Sequence, residues 1–187
     1  MKVNSEKSSL RKLLLEKRDS LSADFIEIAS KKIHKNLKKI QYYQAAKTIA
    51  AYYSIGSEVR THDILQDILS EGKTLALPRV EGDHLIFCNI TRFEDLEKGE
   101  FGIMEPKQNC PQVDEFDVVL VPAIAMTKRG QRLGYGRGFY DRFLADKEST
   151  TIALTYSKFV VKNIPFSEGD VRIHLVVTED EIISSGI

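Results

Sequence analysis

Cysteine is scarce in this chain. Cys88 and Cys110 are its only two, too few and too far apart for a disulfide scaffold or a zinc cage. Free thiols in a reducing compartment are the expectation. A surplus of charge is also missing, since Lys plus Arg and Asp plus Glu each number 27 and the formal net charge is zero. That argues against a nucleic-acid coat or a charged membrane surface and makes any anion site a local one. No apolar run reaches the roughly 18 residues of a membrane span, and the start of the chain is polar with no apolar stretch of signal-peptide type. The expectation is a cytoplasmic, soluble monomer whose partners are small molecules, with neither nucleic acid nor membrane among them.

Several catalytic signatures are absent too. His34, His62, His84 and His174 fall into no HxH or HExxH spacing, so a metal-hydrolase site lacks its ligands. There is no GxSxG elbow for a serine hydrolase. No GK[ST] closes a Walker A loop, and the glycines do not follow the GxGxxG spacing of a dinucleotide fold.

What is present is an ordinary globular composition, 42% hydrophobic and 29% charged over 187 residues. That suits one domain, 1–187, with a sizeable core. Residues 5–20 read as a helix with Leu10, Leu13 and Leu14 on one face. Ser22 is placed to cap a second, in which Ile26, Ala29, Ile33, Leu37 and Ile40 keep helical spacing.

Strands and helices then alternate. Strand-like runs occupy 48–53, 74–77 (stopped by Pro78), 84–88 (with Cys88 as core), 117–121, 151–156 and 175–178. Helical patterns fall at 63–71, which Gly72 can end, and at 138–144. Between Ile90 and Phe116 the chain reads as turn-rich, and Pro106 and Pro111 argue against regular structure there. The alternation implies an α/β protein of three layers, α/β/α, with a mostly parallel open sheet and helices on both faces. Ligands of such sheets gather at the carboxyl ends of the strands, which directs attention to 54–58, 78–79, 122–138 and 156–157.

The densest signal lies in the third of these, GQRLGYGRGFYDR, where Gly130, Gly134, Gly136 and Gly138 fall within nine residues. Glycines so closely set let backbone N–H groups converge on one anion, and a helix starting after Gly138 would add its positive end. Arg132 and Arg137 bring planar, permanent charge suited to phosphate oxygens. Asp141 stands in the first helical turn, where a carboxylate could hold magnesium against those phosphates. A solvated surface loop would contain the same glycines, but it gives no reason for Arg132, Arg137, two tyrosines and an aspartate directly after a buried strand.

The segment VPAIAMTKRGQRLGYGRGFYDRFL, Val121–Leu144, resembles the signature of the 5-formyltetrahydrofolate cyclo-ligase family. The resemblance extends to KSSLR (Lys7–Arg11), YSIGSEVRT (Tyr53–Thr61), LP (Leu77-Pro78), GIMEP (Gly102–Pro106) and the closing PFSEGDVRIHLVVTED. It implies ATP-dependent closure of 5-formyltetrahydrofolate to 5,10-methenyltetrahydrofolate, with ADP and phosphate released. It also implies roles for residues. Lys7, Ser8, Ser9, Leu10 and Arg11, together with Arg132, Leu133, Gly134, Tyr135, Gly136, Arg137, Gly138, Phe139 and Tyr140, would bind the nucleotide. Arg132 and Arg137 would act on the transferring group. Tyr53, Glu58 and the stretch Tyr135, Gly136, Arg137, Gly138 and Phe139 would contact folate, with Glu58 accepting from the pterin edge. Asp141 and Asp170 would hold Mg2+.

From the residues alone, Lys7 and Arg11 read first as a solvated helix face, while Glu58 could be a helix start, Tyr53 strand core and Asp170 a turn. The chain also departs from the family pattern. Met126 and Thr127 stand where Phe and Asp are usual, His174 where a second acid is usual, and Phe139 where tyrosine is frequent. A sugar-phosphate isomerase or transferase on the same sheet, or a non-catalytic nucleotide-binding module, remains an alternative on fold grounds.

Overall fold

The computed structural model describes residues 2–99 and 102–187. In chain order the elements are α1 (Lys2–Asp19), α2 (Ala23–Leu37), α3 (Gln41–Ala45), β1 (Thr48–Ala50), α4 (His62–Ser70), β2 (Thr74–Glu81), β3 (His84–Ile90), β4 (Leu96–Lys98), β5 (Met104–Pro106), β6 (Gln112–Val113), β7 (Val118–Pro122), β8 (Ala125–Met126), β9 (Arg132–Leu133), α5 (Phe139–Leu144), β10 (Thr150–Leu154), β11 (Leu175–Val177) and β12 (Ile182–Ser184).

One mixed sheet runs β12-β11-β10-β7-β1-β2-β3-β6. Its inner strands, β11-β10-β7-β1-β2, pair parallel. Antiparallel strands finish both edges: β12 on β11, and β3 then β6 on β2. Counting only the parallel strands, the order is 2-1-3-4-5, and the reversal of direction lies between β1 and β7. A crevice opens there, beyond the carboxyl ends of these two strands.

The fully buried run VVLVP of β7 reads as expected for a strand covered on both faces. One face meets Leu14 of α1 with Ile26, Ile33 and Leu37 of α2 and Ile64 and Leu65 of α4, all over Ile49, Leu75, Leu120 and Ile152. The other face is covered more thinly, by Leu144, Tyr140 and Phe143 of α5 and by Phe87, Phe116 and Ile173 over Ala50, Val119 and Val176. The three layers are therefore lopsided, with most helix on one side.

Local signals were largely obeyed. The Ser22 hydroxyl accepts from the Phe25 N–H at 3.1 Å and starts α2. α4 ends in a Schellman pair, Gly72 N to Leu69 O and Lys73 N to Ile68 O. Cys88 is fully buried in β3.

Other expectations need correction. β2 does not stop at Pro78 but continues to Glu81. The Ala51 N–H donates to Ala76 O, so by the two-residue period Pro78 faces the same side, where β1 has already ended and no N–H is required. The stretch from Ile90 to Phe116 contains an antiparallel pair, β4 with β5, and Pro106 closes it. Leu13 is 48% exposed; Leu10 and Leu14 do pack inward, and the same side of α1 also carries Lys7, Arg11 and Arg18.

Candidate active site

That face of α1 supplies one wall of a cavity of about 660 Å³ at the crevice between β1 and β7. Residues 7, 11, 14 and 18 follow helical spacing, so three cations point the same way, toward the loops at the carboxyl edge of the sheet. Burial of the Arg11 guanidinium lowers its pKa. Its Nε donates to the carbonyl oxygen of Gly134 at 2.7 Å. Gly136 sits against the same side chain with φ of +98°, and a Cβ there would lie 3.0 Å from Arg11 Cζ. Only glycine suits both the backbone and the approach.

The glycine segment is held by the short β8–β9 ladder, in which Met126 faces Arg132. Arg132 Nη1 donates to Pro122 O at 3.2 Å and Nη2 to Asp141 Oδ2 at 3.0 Å. Its guanidinium lies 5.6 Å from the centre of the Tyr140 ring. Two buried atoms on this wall, Arg132 Nε and Tyr140 Oη, meet no hydrogen-bond partner among the described residues. Unused polar capacity of this kind at a cavity wall fits a ligand rich in oxygen. Burial raises the Tyr140 pKa, so the phenol keeps its proton. Arg137 is exposed at the rim and lines the cavity, as does half-buried Phe139.

Two carboxylates line the next side. Asp141 Oδ1 accepts from the Val171 N–H at 3.2 Å, which ties it to the segment that carries Asp170. Asp170 Oδ2 pairs with Lys7 Nζ and accepts from the N–H and hydroxyl of Ser167. Burial acts to raise the Asp170 pKa, but Lys7 and the Ser167 hydrogen bonds outweigh it and the net shift is downward. Among the described residues no group of three or more His, Cys, Asp or Glu is arranged to hold a metal. A metal here would therefore depend on these two aspartates plus oxygens from a substrate.

At the far end, Glu58 is 5% exposed. Its Oε1 accepts from the Tyr135 hydroxyl at 2.5 Å and its Oε2 from the Ile55 N–H at 2.8 Å. Burial raises its pKa, opposed by the Tyr135 and Ile55 hydrogen bonds and by Arg18. Tyr53 lines the cavity too, its hydroxyl 3.2 Å from His62 Nε2. The cavity thus has a cationic half and an acceptor half bounded by phenols.

The structure gathers Lys7, Arg11, Tyr53, Glu58, every residue from Arg132 to Asp141, and Asp170 around this one cavity. It does not bring Ser8, Ser9 or Leu10 to it. The two serines are exposed and Leu10 packs against the core. Met126 does not face a ligand either; it is fully buried in the second core cluster. Thr127 ties its own turn, accepting from Gln131 N at 3.1 Å. His174 is structural, its Nδ1 accepting from the Thr151 N–H at 3.1 Å. α5 spans only six residues, so its dipole adds little and the anion-binding capacity rests on the loop and the cations.

Sequence reasoning missed Arg18, Tyr52, Met104, Glu105 and Ser167. Arg18 lies four residues beyond buried Leu14 on the same helical stripe, the one sequence signal it gives, and that signal does not separate a buried arginine from a solvated one. Met104 and Glu105 arrive on the unforeseen β4–β5 pair.

The model of the 5-formyltetrahydrofolate cyclo-ligase family matches residues 3–179. Among curated relatives, 5-formyltetrahydrofolate cyclo-ligase of Haemophilus influenzae is 32% identical over 76% of this chain and 90% of its own. The enzyme of that name from Mus musculus is 28% identical over 95% and 96%. The NMR structure of Aquifex aeolicus 5,10-methenyltetrahydrofolate synthetase superposes with a TM-score of 0.88 at 33% identity, covering 97% of this chain and 93% of that one. The Mycoplasma pneumoniae synthetase gives 0.75 at 25% identity, covering 93% and 99%.

Proposed function

The chain belongs to the 5-formyltetrahydrofolate cyclo-ligase family and is a ligase, and from that premise we propose that it closes 5-formyltetrahydrofolate to 5,10-methenyltetrahydrofolate at the expense of ATP. One observation carries the reading. A single cavity joins a cationic wall of Lys7, Arg11, Arg132 and Arg137 to a buried acceptor, Glu58, set among phenols. The first half suits a triphosphate and the second suits a ring edge rich in N–H groups.

A formamide carbon is a poor electrophile. Transfer of the γ-phosphoryl group to the formyl oxygen turns that oxygen into a leaving group. N10 of the same folate then attacks the formyl carbon, phosphate departs and the ring closes. Such a transfer depends on alignment and charge neutralisation more than on a protein nucleophile. Arg132 and Arg137 are assigned to the charge that develops on the transferring group, and Lys7, Arg11 and the backbone from Leu133 to Tyr140 to the rest of the triphosphate. Tyr53, Glu58 and Phe139 are assigned to folate, along with Tyr135, Gly136, Arg137 and Gly138.

Asp141 and Asp170 fit a magnesium site of the kind that keeps several waters and takes one or two carboxylates plus substrate phosphates. When bound, Mg2+ would neutralise phosphate charge. What the chain's own residues do is set each carboxylate beside a cation, Asp141 beside Arg132 and Asp170 beside Lys7. We further assign the whole chain to one domain, working as a monomer in the cytoplasm. Among the described residues no helix is long and apolar enough to cross a membrane. Family membership sets aside the isomerase and binding-module readings.

Release of ADP by the purified protein tests this. ADP should appear one for one with folate consumed and only when 5-formyltetrahydrofolate is supplied. ADP release indifferent to the folate would overturn the proposal.

A further inference from the structure

Arg18 is 4% exposed and lies outside every motif that marks the site. Its guanidinium joins two of the loops at the carboxyl edge of the sheet, the one that follows β1 and the one that follows β7. Nε donates to Ser57 Oγ at 3.0 Å, Nη1 to the carbonyl oxygen of Ala123 at 3.2 Å and Nη2 to the Tyr135 hydroxyl at 2.7 Å. All three acceptors are neutral. Carboxylates stand one group further out on two sides, since Ser57 Oγ donates to Asp19 Oδ1 at 2.5 Å and the Tyr135 hydroxyl donates to Glu58 Oε1 at 2.5 Å.

The direction of this chain is fixed by chemistry. A guanidinium only donates. Because Nη2 already occupies the phenol oxygen as an acceptor, the phenol has one proton left and Glu58 is where it points. Glu58 Oε2 also accepts, from the Ile55 N–H. Both oxygens therefore receive donors, an arrangement that suits the ionised form. A buried carboxylate would otherwise lean toward protonation. The remaining charged or titratable groups near Glu58 are Arg60, which favours the anion, and the phenols of Tyr52 and Tyr140. Arg60 is exposed and donates to Gly56 O, so Arg18 is the buried cation of the set.

We propose that Arg18 is a positioning residue for the acceptor half of the site: by donating to the Tyr135 hydroxyl it commits the phenol proton to Glu58 and keeps that carboxylate an acceptor for an N–H-rich ring edge. The proposal rests on the reading of this half as the folate side, but the state of Glu58 is measurable without any folate. It also couples α1 to both halves of the cavity, because Lys7 and Arg11 on the same face reach the phosphate side. Tyr135 is 42% exposed while its hydroxyl is tied at both ends, so the phenol serves as the link between the two charges.

The test compares wild type with Arg18→Gln and Tyr135→Phe, the second keeping the buried cation in place should the first fail to fold. The Glu58 carboxyl carbon is followed by 13C NMR in ligand-free protein labelled on glutamate, with Glu58→Gln assigning the resonance. In both variants the titration midpoint should move up by about one pH unit. In Arg18→Gln, which makes no folate contact of its own, binding of 5-formyltetrahydrofolate measured at pH 6 and pH 8 should weaken severalfold, by up to about tenfold, at the lower pH and much less at the higher. Unchanged midpoints would overturn the proposal, as would loss of binding equal at both pH values, the mark of a merely structural role. If wild type binds no folate at any pH, the functional reading fails while the carboxyl titration still decides the role of Arg18.

Discussion

Arg132 Nη2 lies 3.0 Å from Asp141 Oδ2, and the two side chains are 5% and 24% exposed. The pair ties β9 to the first turn of α5 and holds an arginine and a carboxylate at one cavity wall. Each limits the other, since the carboxylate assigned to magnesium is also the counter-charge of the arginine assigned to phosphate.

Asp141→Asn should accordingly act twice. Half-saturation with magnesium should rise several-fold in turnover assays. Thermal stability should fall by the equivalent of roughly 1–3 kcal/mol, because the Arg132 charge stays buried while its partner is neutral. An unchanged magnesium requirement would remove Asp141 from the metal site.

Arg137→Ala separates charge from packing. Arg137 is exposed at the rim, so folding should change little while kcat falls by the equivalent of about 2–4 kcal/mol, as for loss of one well-placed stabilising group. Chemical denaturation and steady-state rates, run together, check both halves. Wild-type turnover would dismiss its role.

Gly136→Ala joins backbone strain to a displaced cation. At φ of +98°, with a Cβ 3.0 Å from Arg11 Cζ, the substitution should raise the KM for ATP at least tenfold. Gly82→Ala, at positive φ with open space around it, should lower stability and leave KM alone.

Glu58→Gln should weaken folate more than ATP, measured as separate equilibrium constants. The reverse pattern would mean that the two ends of the cavity have been assigned the wrong way round.

Asp117 gives a pH signature away from the site. Its carboxylate accepts from the Thr48 and Lys47 N–H groups, which lower its pKa. With the folded pKa below the unfolded one, its contribution is present above the ordinary carboxylate range and lost as pH falls through the folded value. Asp117→Ala should therefore lose stability at pH 7, by no more than about 0.5–1 kcal/mol given its exposure. The difference from wild type should vanish near pH 2 in urea titrations.

Much of the fold was legible because the signals were local. Ser22 caps, α2 repeats with a clear period, and the run from Val118 to Pro122 is apolar throughout. Pro78 misled because its tolerance depends on β1 ending one residue before it is needed, a tertiary fact. The β4–β5 pair is three residues long on each side and held largely by its surroundings, including Arg79 donating to Lys107 O. At the site, the glycine segment announced itself by composition. Arg18 did not, because a helical arginine looks the same whether it faces water or, as here, a tyrosine and a carboxylate beyond it.

The most direct test mixes the purified protein with 5-formyltetrahydrofolate, ATP and magnesium and follows the near-ultraviolet absorbance of the methenyl product. Growth of that band with ATP, and none without it, is the result expected of this cavity. Folded, ATP-binding protein that produces no band would contradict the account and point to a different acceptor for the phosphoryl group.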